Sequence, residues 1–250
     1  MDRQKSAEAM RVVLHAHSDW SYDGVWDLAR IARFYGRFGV SAVMMSEHDT
    51  GFDPGSFPAY RAACEAASTA RCKLIPGIEY SSPDNDIHIL TWGLETFLAE
   101  HRPVVETLEK VKEAGGAAVF AHPVRRKAWA KFDRGWVPYL SGVELWNRKS
   151  DGVSFGRQAY ELIRETGLAA TVGQDFHRLR HVYPLTMGVK PGVEATEAAL
   201  VGAVRAREMV PLAFRRPLLN ADGVPLSGFH DRAEGVRIGL RDLRNRLRGK

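Results

Sequence analysis

The sequence VVLHAHSDWSYDG occupies residues 12–24 and opens with an apolar run that ends in His15-Ala16-His17. Side chains two residues apart on a strand point to the same face, so both imidazoles leave the strand together where it meets its loop. Neutral imidazole is the commonest protein ligand for zinc and also suits iron and nickel. The segment therefore predicts a strand whose carboxyl end carries part of a metal site.

The composition is that of an ordinary globular protein. Of 250 residues, 45% are hydrophobic and 26% are charged, which favours one α/β domain, with two smaller domains as the alternative. No apolar run has the length of a membrane span, and the N-terminal MDRQKSAEAMR lacks the core of a signal peptide. We therefore expect a cytoplasmic protein without a membrane partner.

Cys64 and Cys72 lack Cys-x-x-Cys spacing and are predicted to be unpaired thiols. The net charge of +5 permits an anionic partner, although much of it comes from arginines near the C-terminus.

Apolar strands alternate with amphipathic helices along the chain. The helix predicted at 26–38 carries Leu28, Ile31, Ala32 and Tyr35 at helical spacing. Further helices are predicted at 60–71, 104–114, 158–165 and 197–207, and strands at 40–45, 73–78, 87–92, 117–121, 142–146, 168–172, 186–189 and 210–214. This alternation predicts a mainly parallel sheet with helical crossovers, either a barrel or an open doubly wound sheet. In both architectures ligands bind at the carboxyl ends of the strands.

The connection between Glu79 and His88 departs from that pattern. Only residues 80–86 separate the two strands, and a helical crossover needs about a dozen residues. We expect a local hairpin or a distortion here.

The histidines are distributed unevenly. Five of the nine lie at the carboxyl ends of predicted strands: His15, His17, His48, His122 and His177. Structural histidines scattered over a fold would not favour one end, so the distribution indicates a shared site. His101, His181 and His230 lack this placement and are assigned structural or solvent contacts.

Taken together, the motifs resemble the PHP family, named for polymerase and histidinol phosphatase. The matching segments are His15-Ala16-His17-Ser18 with Ser21 and Asp23-Gly24, then Glu47-His48-Asp49-Thr50, Gly77-Ile78-Glu79, His88, Ala121-His122-Pro123 and Asp175-Phe176-His177. The resemblance implies a distorted (β/α)7 barrel with two or three divalent ions, commonly zinc, manganese or iron. It places one ion among His15, His17, Glu79 and Asp175. Glu79 then bridges to a second ion held by His88 and His122, and Asp23, His48 and His177 hold a third.

Two departures from the family pattern bear on the site. The family usually has Thr-Asp-His-Asp where this chain has Ser46-Glu47-His48-Asp49, so the first carboxylate is displaced by one methylene. The loop Ser21-Tyr22-Asp23-Gly24 is one residue longer than the commoner Ser-Asp-Gly, and Asp23 is favoured over Asp19 as the ligand.

The predicted reaction follows from the ligand set. Divalent ions about 3.5 to 4 Å apart are a common device for hydrolysing phosphate esters, because they generate a hydroxide nucleophile and neutralise phosphoryl oxygens. We expect hydrolysis of a small phosphorylated metabolite by a metal-bound hydroxide, with Asp49 or His177 passing a proton to the leaving group. Arg148, Arg178 and Arg125 are the candidate phosphate clamps, because a guanidinium fork matches phosphate geometry. This basic setting, with aromatic residues on the same loops, favours a nucleotide-like substrate over histidinol phosphate and does not call for a nucleic-acid partner.

Three alternatives stay open. Gly152-Val153-Ser154-Phe155-Gly156 matches the nucleophile-elbow pattern Gly-x-Ser-x-Gly, but six residues separate it from the preceding strand. Hydrolysis of a C–N bond on a similar barrel commonly uses a modified lysine inside a strand, and no strand here has one at its catalytic end. The third alternative is a metal-stabilised binding module without catalysis.

The chain is divided into a phosphoesterase barrel at 1–214 and a C-terminal extension at 215–250. The extension carries an apolar stripe among arginines and is predicted to pack on the barrel or on a second subunit in a homo-oligomer. The stripe consists of Val236, Leu240, Leu243 and Leu247, interspersed with Arg237, Arg241, Arg244, Arg246 and Arg248.

Overall fold

The computed structural model describes residues 10–226 and 228–247. Within these ranges the chain forms one mixed sheet flanked by helices. The strands are β1 (Arg11–Ala16), β2 (Ala42–Met45), β3 (Glu47–His48), β4 (Lys73–Ile75), β5 (Gly77–Ser81), β6 (His88–Trp92), β7 (Ala117–Phe120), β8 (Gly142–Asn147), β9 (Ala169–Phe176), β10 (Leu185–Val189), β11 (Met209–Ala213) and β12 (Arg216–Pro217). The helices are α1 (Leu28–Arg37), α2 (Phe57–Ala67), α3 (Val104–Glu113), α4 (Arg148–Asp151), α5 (Arg157–Thr166), α6 (Glu197–Arg205) and α7 (Phe229–Leu247).

Local sequence accounts for most of these elements. In α1 the Asp27 side chain accepts a hydrogen bond from the backbone N–H of Arg30 and so caps the first turn. Its buried residues include the four predicted from their spacing, Leu28, Ile31, Ala32 and Tyr35. The helices at the other four predicted places are also present, with ends shifted by a few residues. Amphipathic spacing is a local signal, which is why it predicted them correctly.

The sheet is mixed in direction. Strands β1, β2, β4, β7, β8 and β9 form parallel pairs, as does β3 with β5, whereas β6 runs antiparallel to both β5 and β7. Of the two arrangements expected after Glu79, a hairpin or a distortion, the structure shows the hairpin. Because β6 is reversed, His88 at its start lies at the same edge as the carboxyl ends of its neighbours. At the other side, β10, β11 and β12 form an antiparallel extension that begins on β1.

The expected distorted (β/α)7 barrel is not confirmed. Among the described residues the sheet has twelve strands and is not closed. The strand predicted at 73–78 is interrupted at Pro76, between β4 and β5, and the strand predicted at 40–45 is followed after Ser46 by a second short strand, β3. A proline has no backbone N–H to donate to a ladder, which accounts for the interruption at Pro76.

The core fills the space between the sheet and its helices. Its largest fully buried side chains include Trp92, Trp146 and Tyr60. The Trp92 indole donates a 2.7 Å hydrogen bond to Met45 O, so its one polar group is satisfied. Cys64 and Cys72 are buried free thiols, as predicted. No helix in the described ranges combines the length and apolar character needed to cross a membrane.

The C-terminal helix α7 covers the predicted amphipathic stretch. Its exposed side includes Val236 and Leu240, each 63% exposed. The side chains of the other predicted stripe members, Leu243, Leu247, Arg241, Arg244 and Arg246, lie outside the described residues, as do Arg248 and residues 1–9 of the N-terminal segment. The division at residue 214 and the packing of this helix on a partner subunit stay predictions.

A glycine pair tests the packing where β4 passes into β5. A Cβ at Gly77 would collide with Trp92 and Met45 O and lie 2.5 Å from Thr91 O, whereas one at Gly202 on α6 meets nothing within 4 Å. Gly77→Ala is expected to lower the free energy of unfolding by about 3 kcal/mol through overpacking. Gly202→Ala is expected to raise it by about 0.5 to 1 kcal/mol through helix propensity. Urea unfolding measures both, and equal effects would contradict the packing described here.

Candidate metal centre

Several residues of the candidate site lie where the backbone is distorted. His15, His122 and Asp175 have positive φ angles of 63°, 27° and 48°. Residues other than glycine rarely adopt this left-handed backbone conformation, and it costs on the order of 1 to 3 kcal/mol for each residue. At His15 the pairing of β1 shifts register against both β2 and β9. The strand ends are thus bent where their side chains meet, a feature that clusters at functional sites.

The first predicted ligand set converges on one point. The Nε2 atoms of His15 and His17 each lie 3.5 Å from Glu79 Oε2 and 3.7 Å from Asp175 Oδ1. Both Nε2 atoms are buried and have no hydrogen-bond partner among the described residues. Ligand atoms about 2.0 to 2.2 Å from one ion lie roughly 3.0 to 3.5 Å apart. The arrangement therefore fits a single divalent ion, which would bind the two nitrogens that lack a hydrogen-bond partner.

Glu79 connects this set to a second one. Its other oxygen, Oε1, lies 2.7 Å from His88 Nδ1 and 2.8 Å from His122 Nε2. Burial alone would raise the pKa of Glu79, but the surrounding imidazoles outweigh it and hold that pKa well below its ordinary value. A carboxylate that stays ionised and turns one oxygen to each histidine set has the geometry of a bridging ligand.

The third predicted set is also brought together. Asp23 Oδ1 lies 3.3 Å from His48 Nε2, and Asp23 Oδ2 lies 3.1 Å from His177 Nε2. The two Nε2 atoms are 3.3 Å apart. Burial opposes ionisation of Asp23, but hydrogen bonds from the two histidines hold its pKa well below the ordinary value. His17 also joins His48 and His177 in one cluster of ligand atoms.

The histidines differ in protonation: burial lowers the pKa of His17 and His88, whereas at His15 and His48 neighbouring carboxylates outweigh burial and raise the pKa. Burial, with the charges of His48 and His177, lowers the pKa of His17, and burial lowers the pKa of His88, so both imidazoles are favoured in their neutral form. Burial also opposes charge on His15, but the carboxylates Glu144, Asp175 and Glu79 raise its pKa. An excess of buried carboxylate around His15 favours a positive charge at the centre of the cluster.

Glu144 supports the first two sets and was not predicted as a site residue. It is fully buried and accepts hydrogen bonds from His15 Nδ1 (2.8 Å), His122 N (2.7 Å) and Asn147 Nδ2 (3.0 Å). A proton on His15 Nδ1 leaves the Nε2 lone pair free to bind a metal. Gly173 permits this contact, because a Cβ there would collide with the Glu144 carboxylate. A glutamate inside an otherwise apolar strand was the available sequence signal.

Glu47 holds the loop that carries Asp23. Its buried carboxylate accepts hydrogen bonds from Ser18 N (3.0 Å), Ser18 Oγ (2.7 Å) and Ser21 Oγ. Ser21 Oγ in turn accepts a 3.0 Å hydrogen bond from His48 N. The longer glutamate that departs from the family pattern thus reaches across to the loop at 18–24 and fixes it beside His48.

A cavity of about 440 Å³ opens above the three sets. Lys149, also not among the predicted clamps, lines it with Nζ 3.3 Å from Asp175 Oδ1 and 3.2 Å from His177 Nε2. Arg125 lines it from the other side, with Nη1 3.0 Å from His88 Nε2. Tyr22, 75% exposed, stacks on the His48 ring at the mouth. The remaining lining residues are Asp23, Thr50, Glu79, Ser81, Asn85, His101, His122 and Ser150.

Three predicted residues lie elsewhere. Asp49 Oδ2 accepts hydrogen bonds from the backbone N–H groups of Ser81 (3.0 Å) and His101 (3.1 Å), so it joins the end of β5 to the segment before α3. Arg148 turns away from the cavity and lies over the Tyr183 ring at 5.2 Å. Arg178 is exposed and does not line the cavity. Of the predicted clamps, only Arg125 faces it.

A buried carboxyl beside the site gives a pH-dependent prediction. Burial raises the pKa of Asp151 to about 7. Its folded pKa exceeds its unfolded pKa, so the folded protein binds the proton more tightly and loses stability as the pH rises from about 4 to 7. Asp151→Asn has no carboxyl to titrate at this position, so this loss is absent from the variant. Between pH 5 and pH 8 we expect the free energy of unfolding of the parent to fall by roughly 2 to 4 kcal/mol more than that of the variant. Urea unfolding across this range measures the difference. The exposed Asp222→Asn control should follow the parent, and parallel curves for Asp151→Asn would contradict the assignment.

Comparisons with known proteins identify the fold. Neither models of protein families nor curated protein sequences give a match. A two-domain protein from Bacteroides vulgatus containing a predicted PHP-like metal-dependent phosphoesterase matches with a TM-score of 0.60 and 17% identity, over 84% of this chain and 66% of that one. The lesion-specific endonuclease PfuEndoQ from Pyrococcus furiosus matches with a TM-score of 0.58 and 15% identity, over 85% and 58%.

An amidohydrolase from Chromobacterium violaceum, with bound sulfate, matches with a TM-score of 0.51 and 15% identity, over 81% of this chain and 97% of that one. The chain spans less than two thirds of the length of the Bacteroides vulgatus protein (66%) and of PfuEndoQ (58%). At these identities the matches show a shared fold. The resemblance predicted from the motifs is confirmed at that level: the chain shares its fold with a protein that contains a predicted PHP-like metal-dependent phosphoesterase.

Proposed function

We propose that this protein is a metal-dependent phosphoesterase that hydrolyses a small phosphorylated metabolite. The observation that carries the proposal is the buried Glu79 carboxylate, with Oε2 facing the orphaned nitrogens of His15 and His17 and Oε1 facing His88 and His122. Nine imidazole and carboxylate ligands exceed the four that a structural zinc site uses. The ligand types admit zinc, manganese or iron alike.

The chain's own residues have separate parts in the reaction. When bound, divalent ions would lower the pKa of a water and neutralise phosphoryl oxygens. Lys149 and Arg125 are placed to bind the remaining phosphoryl oxygens, because both line the cavity beside the ligand sets. His177 Nε2 lies 3.2 Å from Nζ of Lys149, which lines the cavity, and in a two-ion form of the site, with the third set empty, it is our candidate for the proton donor to the leaving group.

The cavity also favours a substrate class. Its two cationic side chains suit an anionic substrate and oppose the cationic groups of histidinol phosphate. The exposed Tyr22 ring at the mouth offers a surface on which a nucleobase could stack. We therefore propose a nucleotide-like phosphate. The fold shared with an endonuclease is a reason to include oligonucleotides among the substrates tested.

We also propose that the sheet represents a distorted barrel. The pairings that support this run from β1 through β2 to β4, and from β3 through β5, β6, β7 and β8 to β9, which pairs again with β1. The two interruptions at Ser46 and Pro76 are each one residue long. On both sides of the interruptions the same two stretches of chain pair in parallel, β2 with β4 and β3 with β5.

The test combines metal analysis with a substrate screen. The full chain, reconstituted separately with Zn²⁺, Mn²⁺ and Fe²⁺, is assayed with nucleotides, sugar phosphates, phosphotyrosine, histidinol phosphate and short oligonucleotides. We expect two or more ions per chain. Glu79→Ala should lower metal content and reduce kcat/KM by more than about 100-fold, because even residues that only support metal ligands contribute about 10- to 100-fold.

The exposed Glu113→Ala on α3 is the matched control and should behave as the parent. Stoichiometric metal without turnover of any ester would favour the non-catalytic binding module instead. Absence of metal after reconstitution would reject the proposal altogether.

Glu144 provides a second test of the same centre. Glu144→Gln keeps the size of the side chain but removes the charge that holds the proton on His15 Nδ1. We expect metal affinity to fall about 10- to 100-fold, with activity partly restored at high metal concentration. Competition with a chromogenic chelator measures the affinity, and an unchanged value would show that Glu144 does not support the ligands.

A further inference from the structure

We infer that Glu234 on the C-terminal helix α7 is a positioning residue for Lys149, so that the C-terminal extension helps to build the substrate site. The inference rests on the proposed function for the role of Lys149. It concerns the loop at residues 147–156, here called the Lys149 loop, which includes α4. This loop lies between the ligand sets on one side and α7 on the other.

Glu234 holds the far end of the Lys149 loop directly. Its Oε2 accepts a 2.9 Å hydrogen bond from Val153 N. The approach is so close that a Cβ on Gly152, whose φ is 79°, would lie 2.8 Å from the same oxygen. Arg237, one turn further along α7, donates from Nε (2.8 Å) and Nη2 to the Glu234 carboxylate. The carboxylate is therefore fixed on the helix and presented to the loop.

Side-chain packing supports the same contact. The fully buried Trp146 indole donates a 3.2 Å hydrogen bond to Gly152 O, and its ring meets the edge of His230 on α7 with centroids 5.0 Å apart. Arg148 Nη1 lies 3.4 Å from the same Gly152 O. Residues at the base of the loop and on the helix thus converge on the Gly152–Val153 peptide from both sides.

The near end of the loop reaches the ligand sets. Asn147 Oδ1 accepts a 3.0 Å hydrogen bond from Ser150 N, and Asn147 Nδ2 donates to Glu144. Asp151 Oδ2 accepts a 2.8 Å hydrogen bond from Asn147 N. These bonds form the turn from which Lys149 extends to Asp175 and His177. Because Lys149 lies inside this turn, a shift of the Gly152–Val153 peptide moves the start of its side chain.

A double-mutant cycle tests the coupling. The metal-reconstituted chain is assayed with para-nitrophenyl phosphate as parent, Lys149→Ala, Glu234→Ala and the double variant. We expect Lys149→Ala to raise KM about 10-fold and Glu234→Ala about 5-fold, as lost charge-assisted contacts to phosphate do. Adding Glu234→Ala to Lys149→Ala should change KM by less than about 2-fold, because coupled residues are not additive.

Two further variants separate positioning from general destabilisation. Glu234→Gln keeps an oxygen that can accept from Val153 N, so its KM should lie between those of the parent and Glu234→Ala. Arg232→Ala, an exposed change on the same helix, should leave KM unchanged. An additive cycle, or an equal KM for Glu234→Gln and Glu234→Ala, would overturn the inference.

Two readouts do not depend on turnover. Hydrogen exchange at the Val153 amide should be faster in Glu234→Ala and unaffected by Lys149→Ala. Calorimetric titration with inorganic phosphate repeats the cycle as a binding measurement. If no ester is hydrolysed but the phosphate cycle is coupled, the proposed function fails and the positioning role stands. If esters are hydrolysed while the cycle is additive or the exchange unchanged, the positioning role fails alone. Absence of phosphate binding to the parent would also overturn the role given to Lys149.

Discussion

The centre of this protein is a buried carboxylate enclosed by imidazoles. Glu79 is 1% exposed, and its two oxygens face ring nitrogens of His15, His17, His48, His88 and His122 at 2.7 to 3.5 Å. An unpaired buried carboxylate costs several kcal/mol, so its partners must be held in place around it. These histidines come from four separate parts of the chain, at residues 15–17, 48, 88 and 122, and they meet at one edge of the sheet around this single charge.

Bringing those partners together strains the backbone. His15, His122 and Asp175 occupy the left-handed region. Position 173 is a glycine, and a Cβ there would collide with the Glu144 carboxylate that approaches His15. The apolar core behind the edge offsets this cost, since Trp92, Trp146 and Tyr60 are fully buried there. Stability and site geometry thus oppose each other at the strand ends, as is common at functional sites.

The C-terminal extension belongs to the same network. Glu234 contacts the loop that carries Lys149, and that loop is bonded through Asn147 to Glu144, which orients His15. The sequence of α7 shows only that the helix is basic and amphipathic. In the structure, a short series of hydrogen bonds links this helix to the ligand sets, so a substitution on α7 can alter the geometry of the cavity.

The sequence alone determined the helices, most strands, the absence of a helical crossover after Glu79 and the ligand-type residues at the strand ends. These follow from local spacing, from loop length and from the side-chain chemistry that metals require. Tertiary structure decided which charges face the cavity: Lys149 enters it, Arg148 turns to Tyr183, and Asp49 bonds two backbone N–H groups. It also decided that Glu144 and Glu234 act on residues distant in the chain. Such choices depend on which neighbours the fold supplies, and pairings across more than 80 residues leave no periodic signal in the sequence.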